Sequence, residues 1–384
     1  LAGTALGESS ITWSWNAVVA STGYNFYFST GGSVSVATTY YVQAGLSKNT
    51  PYGGRVSAVN LSTESALSAY ATAYTLAAVP GTLSKVFAAD TFIIVQWDPN
   101  GNPVGTAYEV EYSYSDGGGL HINSFSVSVT SPIVSGLLHS TTYTFRVRAV
   151  NGDGVLTAFA GPVAFATTPS PPAGLQGAAL GVSSIAWSWS AVVTATTYNF
   201  YFSTGGFVSV STTYYVQAGL STNTLYGGSV SAVNSSGESP LSVTQPRYTL
   251  AAVPGAPGIV SKASDSVALT WSDGGNPDPG TDYSVKYSTA QSFAGAQTTV
   301  VASTVAAIGN LSGGASYYFD VAAINGDGIA TAYTGSPADA LTPPPAPTGL
   351  TGTALGVSSI SWTWDLAATA TGHNVYFPSG VSIS

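Results

Sequence analysis

Apolar residues alternate with small or polar residues through a short tryptophan-bearing segment that recurs along the chain. The segment is written in full at residues 10–15, 184–189 and 359–364, and in shorter form at 93–97 and 267–271. Alternation with a period of two is the pattern of a strand that buries one face. We therefore predict a strand at each copy and a small core anchored by these tryptophans and by a later tyrosine of each unit: Trp13, Trp15, Trp97, Trp187, Trp189, Trp271, Trp362, Trp364, Tyr52, Tyr143, Tyr226 and Tyr317.

The sequence repeats as a pair of units. Trp15 maps onto Trp189 and Trp97 onto Trp271, in both cases 174 positions later. Segments rich in Pro and Gly separate the units, and proline favours extended backbone, so we expect short, semi-rigid spacers there. The predicted domains are a type A unit at 1–79, a type B unit at 80–168, a second type A at 169–253, a second type B at 254–342 and a partial type A at 343–384.

Each full unit repeats the same order of further strands. The tryptophan strand is followed by a second strand that opens on tyrosine, at 24–28, 108–112, 198–202 and 283–287. Later a leucine is followed six residues on by the anchoring tyrosine, as in Leu46 and Tyr52 or Leu137 and Tyr143. Several short strands at regular spacing, separated by turn residues, predict an all-β fold of tandem Greek-key sandwiches.

These features resemble those of fibronectin type III domains. The tryptophan strand corresponds to strand B of that family, the tyrosine-led strand to strand C, and the Leu…Tyr pair to the tyrosine corner that enters strand F. The sequence Asn151-Gly152-Asp153-Gly154 stands at the turn into strand G. The resemblance covers the whole chain and implies an immunoglobulin-like architecture alternating A-B-A-B-partial A. The composition, rich in Ser, Gly and Ala and without Cys, is similar to that of arrays in very large bacterial surface proteins.

Types A and B exchange large and small residues at two positions. Type A carries Trp13 or Trp187 where type B has Val95 or Leu269, and Gly54 or Gly228 where type B has Phe145 or Phe319. Cores tolerate swaps that conserve volume. We therefore expect Trp13 to contact Gly54.

Composition excludes several functions. Charged residues make up 7% of the chain, the net charge is −9, and the eight Lys and Arg are scattered singly. Nucleic-acid binding requires clustered cations, so nucleic acid is not an expected partner, and no apolar run reaches a membrane span. The absence of Cys excludes disulfides, and the absence of Met indicates a processed chain or a piece of a longer one.

The residues needed for catalysis are scarce, and we predict neither enzymatic activity nor a cofactor. The only histidines are His121, His139 and His373, and no catalytic or metal-binding motif surrounds them. The acidic loop of unit four, with carboxylates at 273, 278 and 282, is interpreted as turn chemistry, with weak calcium binding as the alternative. The two Asn-Gly-Asp-Gly sequences are interpreted as tight turns; they lack the Arg of an integrin ligand.

Exposed tyrosines are the candidates for contact or assembly. Tyr27, Tyr201 and Tyr376 fall on the outward register of their strands, and Tyr40-Tyr41 and Tyr214-Tyr215 recur as pairs. Aromatic faces stack on sugars or on neighbouring protein, although a β-strand face packed only against itself gives the same pattern. Asn60, Asn234 and Asn310 lie in Asn-x-Ser sequons, which matter only where the source glycosylates them.

Repetition without a catalytic site favours a structural protein: an extracellular or cell-surface array that forms a stalk, filament or coat. Its expected partners are copies of itself or neighbouring repeats. The alternative is an adhesin or a glycan-binding spacer module of a larger extracellular protein. The fifth unit stops before the strands that would cover Trp362 and Trp364, so we expect the chain to be cut from a longer array.

Overall fold

The computed structural model describes residues 1–378 and 382–383, and every regular element in them is a β-strand in an antiparallel pairing. The fold is therefore all-β. The chain divides into two compact units, one made of Leu1–Pro171, Val192–Thr197 and Ser231–Leu241, the other of the remaining described residues. Among all the described residues, no helix has the length and hydropathy that a membrane span would need.

The first sandwich packs a three-stranded sheet on a four-stranded sheet. The strand orders are β1-β2-β5 and β4-β3-β6-β7. The strands are β1 Ala2–Gly7, β2 Ser10–Ser14, β3 Gly23–Phe28, β4 Ser33–Val36, β5 Tyr40–Ala44, β6 Pro51–Val59 and β7 Ala71–Tyr74.

The second sandwich has the same two-sheet topology, with orders β8-β9-β12 and β11-β10-β13-β14. It differs in the long β10–β11 hairpin. The strands are β8 Leu83–Ala88, β9 Phe92–Trp97, β10 Ala107–Asp116, β11 Gly119–Val127, β12 Ile133–Ser135, β13 Thr142–Val150 and β14 Ala160–Ala166.

The third segment repeats the first and the fourth repeats the second. Sheets β15-β16-β19, β23-β24-β27 and β26-β25-β28-β29 recur in the same orders, and β17 pairs with β18. The strands are β15 Gln176–Gly181, β16 Ser184–Ser188, β17 Thr197–Phe202, β18 Phe207–Val210, β19 Tyr214–Ala218, β20 Leu225–Asn234, β21 Gly237–Glu238, β22 Gln245–Tyr248, β23 Gly258–Lys262, β24 Val267–Thr270, β25 Asp282–Ser288, β26 Gln297–Val301, β27 Val305–Ile308, β28 Ser316–Ile324 and β29 Ala338–Leu341.

The predicted tryptophan strands correspond to β2, β9, β16 and β24, where Trp271 directly follows the last residue of β24. Their inward side chains contribute to the cores. Trp13, Trp97, Trp187, Trp189 and Trp271 are buried, while Trp15 is half-buried against the rings of Tyr24 and Phe26. Alternation along β2 places Ile11 and Trp13 inside and Ser14 outside. The period-two pattern therefore identifies the inward face correctly.

The four anchoring tyrosines form the corner that the family resemblance implies. The hydroxyl oxygens of Tyr52, Tyr143, Tyr226 and Tyr317 each accept a hydrogen bond from a backbone N–H five residues upstream, at 2.9, 2.7, 2.9 and 2.9 Å. Tyr143 and Tyr317 are buried, and Tyr52 and Tyr226 are half-buried. These bonds fix the loop that enters strands β6, β13, β20 and β28.

The exchange of large and small residues operates through a third side chain. The heavy atoms nearest to a Cβ placed on Gly54 belong to Phe26 and to the backbone of Tyr27, while the glycine directly against the Trp13 ring is Gly3. The Phe26 and Trp13 ring centroids lie 5.2 Å apart. Phe26 thus packs against both Gly54 and Trp13, in place of the direct contact that was predicted between those two residues. The counterpart of Phe26 in type B is the smaller Val110.

The fifth segment places its two tryptophans outside a closed core. Its strands are β30 Thr351–Gly356, β31 Ser359–Thr363, β32 Val375–Tyr376 and β33 Ser382–Ile383. Trp362 is 43% exposed and Trp364 half-buried, so the prediction that they anchor a core is wrong for this segment. Two physical reasons apply. Among the described residues, β31 pairs only with β30. In addition, Val375 stands at the position equivalent to Phe26, whose ring packs on Trp13 in the first domain.

Candidate functional site

The paired tyrosines have one exposed and one inward member. Tyr40 is 52% and Tyr214 59% exposed on the outer faces of β5 and β19. Tyr41 instead packs on Phe26 and Phe28 at ring-centroid distances of 5.7 and 5.8 Å, and Tyr215 on the equivalent rings Phe200 and Phe202 at 5.5 and 5.9 Å. Tyr41 and Tyr215 are therefore core-lining residues rather than contact residues, because adjacent strand positions face opposite sides.

Tyr27 lies on the outward face of β3, as predicted, but its hydroxyl has an internal partner. It donates a 2.5 Å hydrogen bond to Glu64 Oε1, which also accepts from Asn25 and from Ser57. The hydrogen bonds from Ser57, Tyr27 and Asn25 lower the pKa of Glu64, while the bond to Glu64 raises the pKa of Tyr27.

The two other outward tyrosines differ in their surroundings. The ring of Tyr201 packs on Phe207 at a centroid distance of 5.1 Å. Tyr376 is 75% exposed. Of the seven candidate tyrosines, Tyr40, Tyr214 and Tyr376 present the largest open area.

His121 and His373 occupy structural positions. His121 stacks on Tyr114 and lies 3.0 Å from Asp116 in the β10–β11 hairpin. His373 Nε2 accepts a hydrogen bond of 3.4 Å from the Ala367 N–H, where the Tyr24 hydroxyl accepts one of 2.9 Å from the Val18 N–H. His139 is exposed. Within the described residues, no three His, Asp or Glu side chains are grouped to hold a metal ion.

The acidic loops close turns and bind the linkers between domains. Asp98 accepts from the Asn100 N–H and Asp273 from the Gly275 N–H, each at 2.8 Å. Asn102, buried in the same loop, donates to the Ala78 carbonyl and accepts from the Ala78 N–H, both at 2.8 Å. This pair of bonds imitates a β-bridge, so the linker residue Ala78 is fixed to the second sandwich.

The linker is packed rather than a free spacer. Ala77 lies in the core cluster of the second sandwich with Leu83 and Trp97, and Ala78 is fully buried. Ala251 occupies the same position in the core of the fourth sandwich. The spacers predicted from proline content are therefore parts of the domain cores at these two positions.

The Asn-Gly-Asp-Gly turn of the second sandwich binds the last strand of the first. Asn151 Nδ2 donates to the Thr75 carbonyl at 3.2 Å, and Asp153 Oδ2 accepts from the Tyr74 N–H at 2.7 Å. Gly152 lies against the face of the Tyr74 ring, so close that a Cβ there would overlap the ring. Gly154 adopts a φ of 83°, the positive value that a tight turn requires. All four residues of the motif thus have a structural role, three of them between domains.

Asn49 completes this contact from the first sandwich. It is a buried residue in the left-handed region, with φ 43°, a conformation that asparagine tolerates better than most residues. Its Oδ1 accepts from the Gly152 N–H at 3.0 Å, and its Nδ2 donates to Thr106 Oγ1 at 3.0 Å. We refer to Asn49, Tyr74, Thr75 and Ala78 together with Asn102, Thr106 and Asn151–Asp153 as the first joint.

The third and fourth domains repeat this arrangement as the second joint. Asn223 Oδ1 accepts from the Gly326 N–H at 2.9 Å, and Asn223 Nδ2 donates to Thr281 Oγ1 at 2.8 Å. Asn325 Nδ2 donates to the Thr249 carbonyl at 3.1 Å, and Asp327 Oδ2 accepts from the Tyr248 N–H at 3.0 Å. Asn276 bonds both backbone groups of Ala252 at 2.8 Å, and every one of these distances is within 0.3 Å of its counterpart in the first joint. The joint is therefore a repeated element of the A–B pair.

Neutral groups provide most of the joint's hydrogen bonds. Each joint also has one cation, and the two cations stand at different positions of the repeat. Lys48 pairs with Glu8 at 3.1 Å and donates to the Asn100 carbonyl in the first joint, whereas Arg247 pairs with Asp327 at 3.4 Å in the second. Buried neutral hydrogen bonds are little affected by salt, while partly exposed ion pairs are screened. The neutral hydrogen bonds that hold a B domain on its A domain should therefore depend little on ionic strength.

The Asn-Gly-Asp-Gly motifs were predicted as turns, but their contacts with the preceding domain were not predicted. Nor were the interdomain roles of the asparagines at 49, 102, 223 and 276. A usable signal was present: the motif occurs only in type B units, and an asparagine three residues before the corner tyrosine occurs only in the complete type A units. Two features that alternate with the same 174-residue period are candidates for partners.

Two segments of the chain match a known domain family, and longer stretches are similar to parts of two known proteins. The fibronectin type III domain model matches residues 79–164 and 253–335, which are the second and fourth sandwiches. Chitinase A1 of Niallia circulans is 29% identical over 175 residues, 42% of this chain and 24% of that protein. The receptor-type tyrosine-protein phosphatase eta of Gallus gallus is 29% identical over 267 residues, 66% of this chain and 18% of that protein.

The chain spans less than a quarter of each of these two relatives. Among solved structures, the FN1–FN3 domains of chicken CNTN1 align at a TM-score of 0.29 and 19% identity, covering 69% of this chain and 98% of that one. A two-domain fibronectin type III segment of chicken tenascin aligns at 0.28 and 21%, covering 44% and 99%. The matched segments assign the second and fourth sandwiches to the fibronectin type III family, and the first and third sandwiches have a similar strand order.

Proposed function

We propose that this chain is a structural protein: part of an extracellular or cell-surface array that forms a stalk, filament or coat through packing of its repeats. The observation that carries the proposal is the joint, which is built twice from the same residue types in the same geometry. A repeated, fixed joint makes the A–B pair a rigid building block. A spacer that needed only length would not require three buried asparagines at each of these two boundaries.

The outer surface also suits contact between copies. The outward residues of β5 and β19 are uncharged, with Tyr40 and Val42 exposed on one and Tyr214 and Val216 on the other. The edge strand β11 spans nine residues and exposes Leu120 and Ile122. Long apolar edges without Lys or Pro are sites where sheets of different molecules pair. Low surface charge lowers the repulsion between neighbouring copies.

Negative-stain electron microscopy of the full chain tests the proposal. We expect rods, filaments or sheets whose repeat matches the A–B pair, without added ligand. A variant carrying Asn49→Gly and Asn223→Gly is the control for the role of the joint, and it should give bent, irregular strings. Single flexible beaded chains from the wild-type protein, with no lateral association at any protein concentration, would contradict the structural role.

A second function is supported by the exposed tyrosines. Tyr40 and Tyr214 occupy equivalent positions with similar exposure, and exposed aromatic rings stack on sugar rings. The chain is also similar to a part of a chitinase. In this alternative the chain is an adhesin or a glycan-binding spacer of a larger extracellular protein. Retention on insoluble chitin, lost in the Tyr40→Ala, Tyr214→Ala variant and kept in the matching Phe variant, would favour it. Equal retention of all three proteins would exclude these tyrosines as the binding site.

A further inference from the structure

Each joint contains an Asn-Gly peptide bond, the sequence at which asparagine most readily deamidates. In that reaction the backbone nitrogen of the glycine attacks Cγ of the asparagine, and a five-membered succinimide forms as ammonia leaves. Water then opens the ring at either carbonyl and gives aspartate or isoaspartate. The reaction requires no reagent besides water, and glycine permits it because no side chain hinders the approach of its nitrogen.

In the first joint both reacting groups are held away from this reaction. The Gly152 N–H donates to Asn49 Oδ1 at 3.0 Å, so the nucleophilic nitrogen is engaged by the neighbouring domain. The Asn151 amide is fixed at both ends: Nδ2 donates to the Thr75 carbonyl at 3.2 Å, and Oδ1 accepts from the N–H groups of Asp153 and Val155 at 3.1 and 2.7 Å. Asn151 is also buried, with 4% of its surface exposed. Attack would require breaking bonds that come from both domains.

The second joint holds Asn325 and Gly326 in the same way. Gly326 donates to Asn223 Oδ1 at 2.9 Å, Asn325 Nδ2 donates to the Thr249 carbonyl at 3.1 Å, and Asn325 Oδ1 accepts from the N–H groups of Asp327 and Ile329 at 3.1 and 2.8 Å. Two of the partners, Asn223 and Thr249, again belong to the preceding domain. The chain therefore carries two equivalent sites in one molecule.

We propose that Asn151 and Asn325 are modification sites that deamidate only when their joint opens, so that each site records the opening of its own joint. Deamidation also prevents the joint from closing again. The product lacks the Nδ2 donor and presents a carboxylate oxygen to the carbonyl of buried Thr75 or Thr249, and two buried acceptors without a donor repel each other. Isoaspartate further lengthens the backbone of a turn that fits closely against Tyr74 or Tyr248.

The test compares the two sites within the same molecules. Full-length protein is incubated in mildly alkaline buffer at physiological temperature, and peptide mapping by mass spectrometry measures deamidation at both asparagines over time. In the Asn49→Gly variant, Asn151 should deamidate about ten-fold faster than in the wild type, since opening is easier once the Gly152 N–H and the buried Thr106 hydroxyl lose their shared partner. Asn325 in the same molecules should keep its wild-type rate. The Asn223→Gly variant should give the reverse.

The wild-type protein unfolded in urea supplies the rate of the unprotected sites. Both sites in the native wild-type chain should react far more slowly than this reference. Native rates equal to the urea rates would overturn the proposal, as would unchanged Asn151 and Asn325 rates in both variants. The result does not depend on whether the array forms filaments, because it measures opening within a single A–B pair.

Discussion

Asn49 Oδ1 and the backbone N–H of Gly152 lie 3.0 Å apart, although the residues are 103 positions apart in the sequence and belong to different domains. The same loop position in type B domains, three residues before the corner tyrosine, is Ser140 or Gly314. Both keep a positive φ, 51° and 68°, but neither supplies an amide. The backbone conformation of the loop is thus common to all four domains, while the interdomain hydrogen bonds are specific to type A.

Replacing Asn49 with glycine should loosen the first joint without straining the loop, because glycine accepts the positive φ. The Gly152 N–H loses its acceptor and the buried Thr106 hydroxyl loses its donor, so we expect the contact between the first two domains to be weakened by about 1–3 kcal/mol. The chain has no Cys, so single cysteines introduced in the first two domains can be labelled for pulsed electron paramagnetic resonance. The distance distribution between the labels should broaden. The same pair of labels in the third and fourth domains is the control and should be unaffected.

Replacing Gly152 with alanine should open the joint by steric overlap with the Tyr74 ring. We expect a loss of about 1–3 kcal/mol, as for other overpacked sites. Gly117→Ala is the matched control, because its Cβ would meet open space. The measurement is thermal unfolding of both variants. Addition of Tyr74→Ala should recover part of the loss; equal destabilisation by Gly117→Ala, or no recovery, would contradict the steric explanation.

The cores were predictable from sequence because they depend on local periodicity. Alternation places Ile11 and Trp13 on one face of β2, and the pair Leu46 and Tyr52 marks the tyrosine corner that the family resemblance implies. Each of these signals lies within a few residues of the chain. The fold class follows from such signals, since strands that bury one face must pair as sheets.

The joint was not predictable in the same way, because its partners are polar residues in separate loops. Asn102 and Asn151 have the composition of ordinary turns, and turn residues are chosen for backbone conformation whether or not they contact another domain. The packing of Phe26 against both Gly54 and Trp13 was not predicted, for a related reason. The comparison of types A and B identified which volumes change, but the side chain that joins them is fixed only by the packing of three strands.

Gly54 should be essential for packing in the first domain. An alanine Cβ would overlap the Phe26 ring and approach the backbone oxygen of Tyr27, so we expect Gly54→Ala to lower the free energy of unfolding by about 1–3 kcal/mol. Adding Phe26→Leu should recover part of this loss by removing the ring, whereas Phe26→Leu alone should be destabilising because it leaves a cavity over Trp13. Denaturant unfolding of the three variants measures the coupling. Strictly additive effects would mean that Gly54 and Phe26 do not share this space.

The carboxylate of Glu64 should make the type A domains sensitive to acid. Hydrogen bonds from Ser57, Tyr27 and Asn25 lower its pKa below the ordinary value of 4.5, and Ser231 contacts Glu238 in the same way in the third domain. A carboxyl group with a lowered folded-state pKa adds stability above its unfolded-state pKa, and this stability is lost as the pH falls through the folded-state value. The melting temperature of the wild-type chain should therefore decrease on acidification below about pH 4.5. A Glu64→Gln, Glu238→Gln variant should be less stable at neutral pH and lose less on acidification. Parallel pH profiles of the two proteins would show that these carboxylates contribute nothing to the acid response.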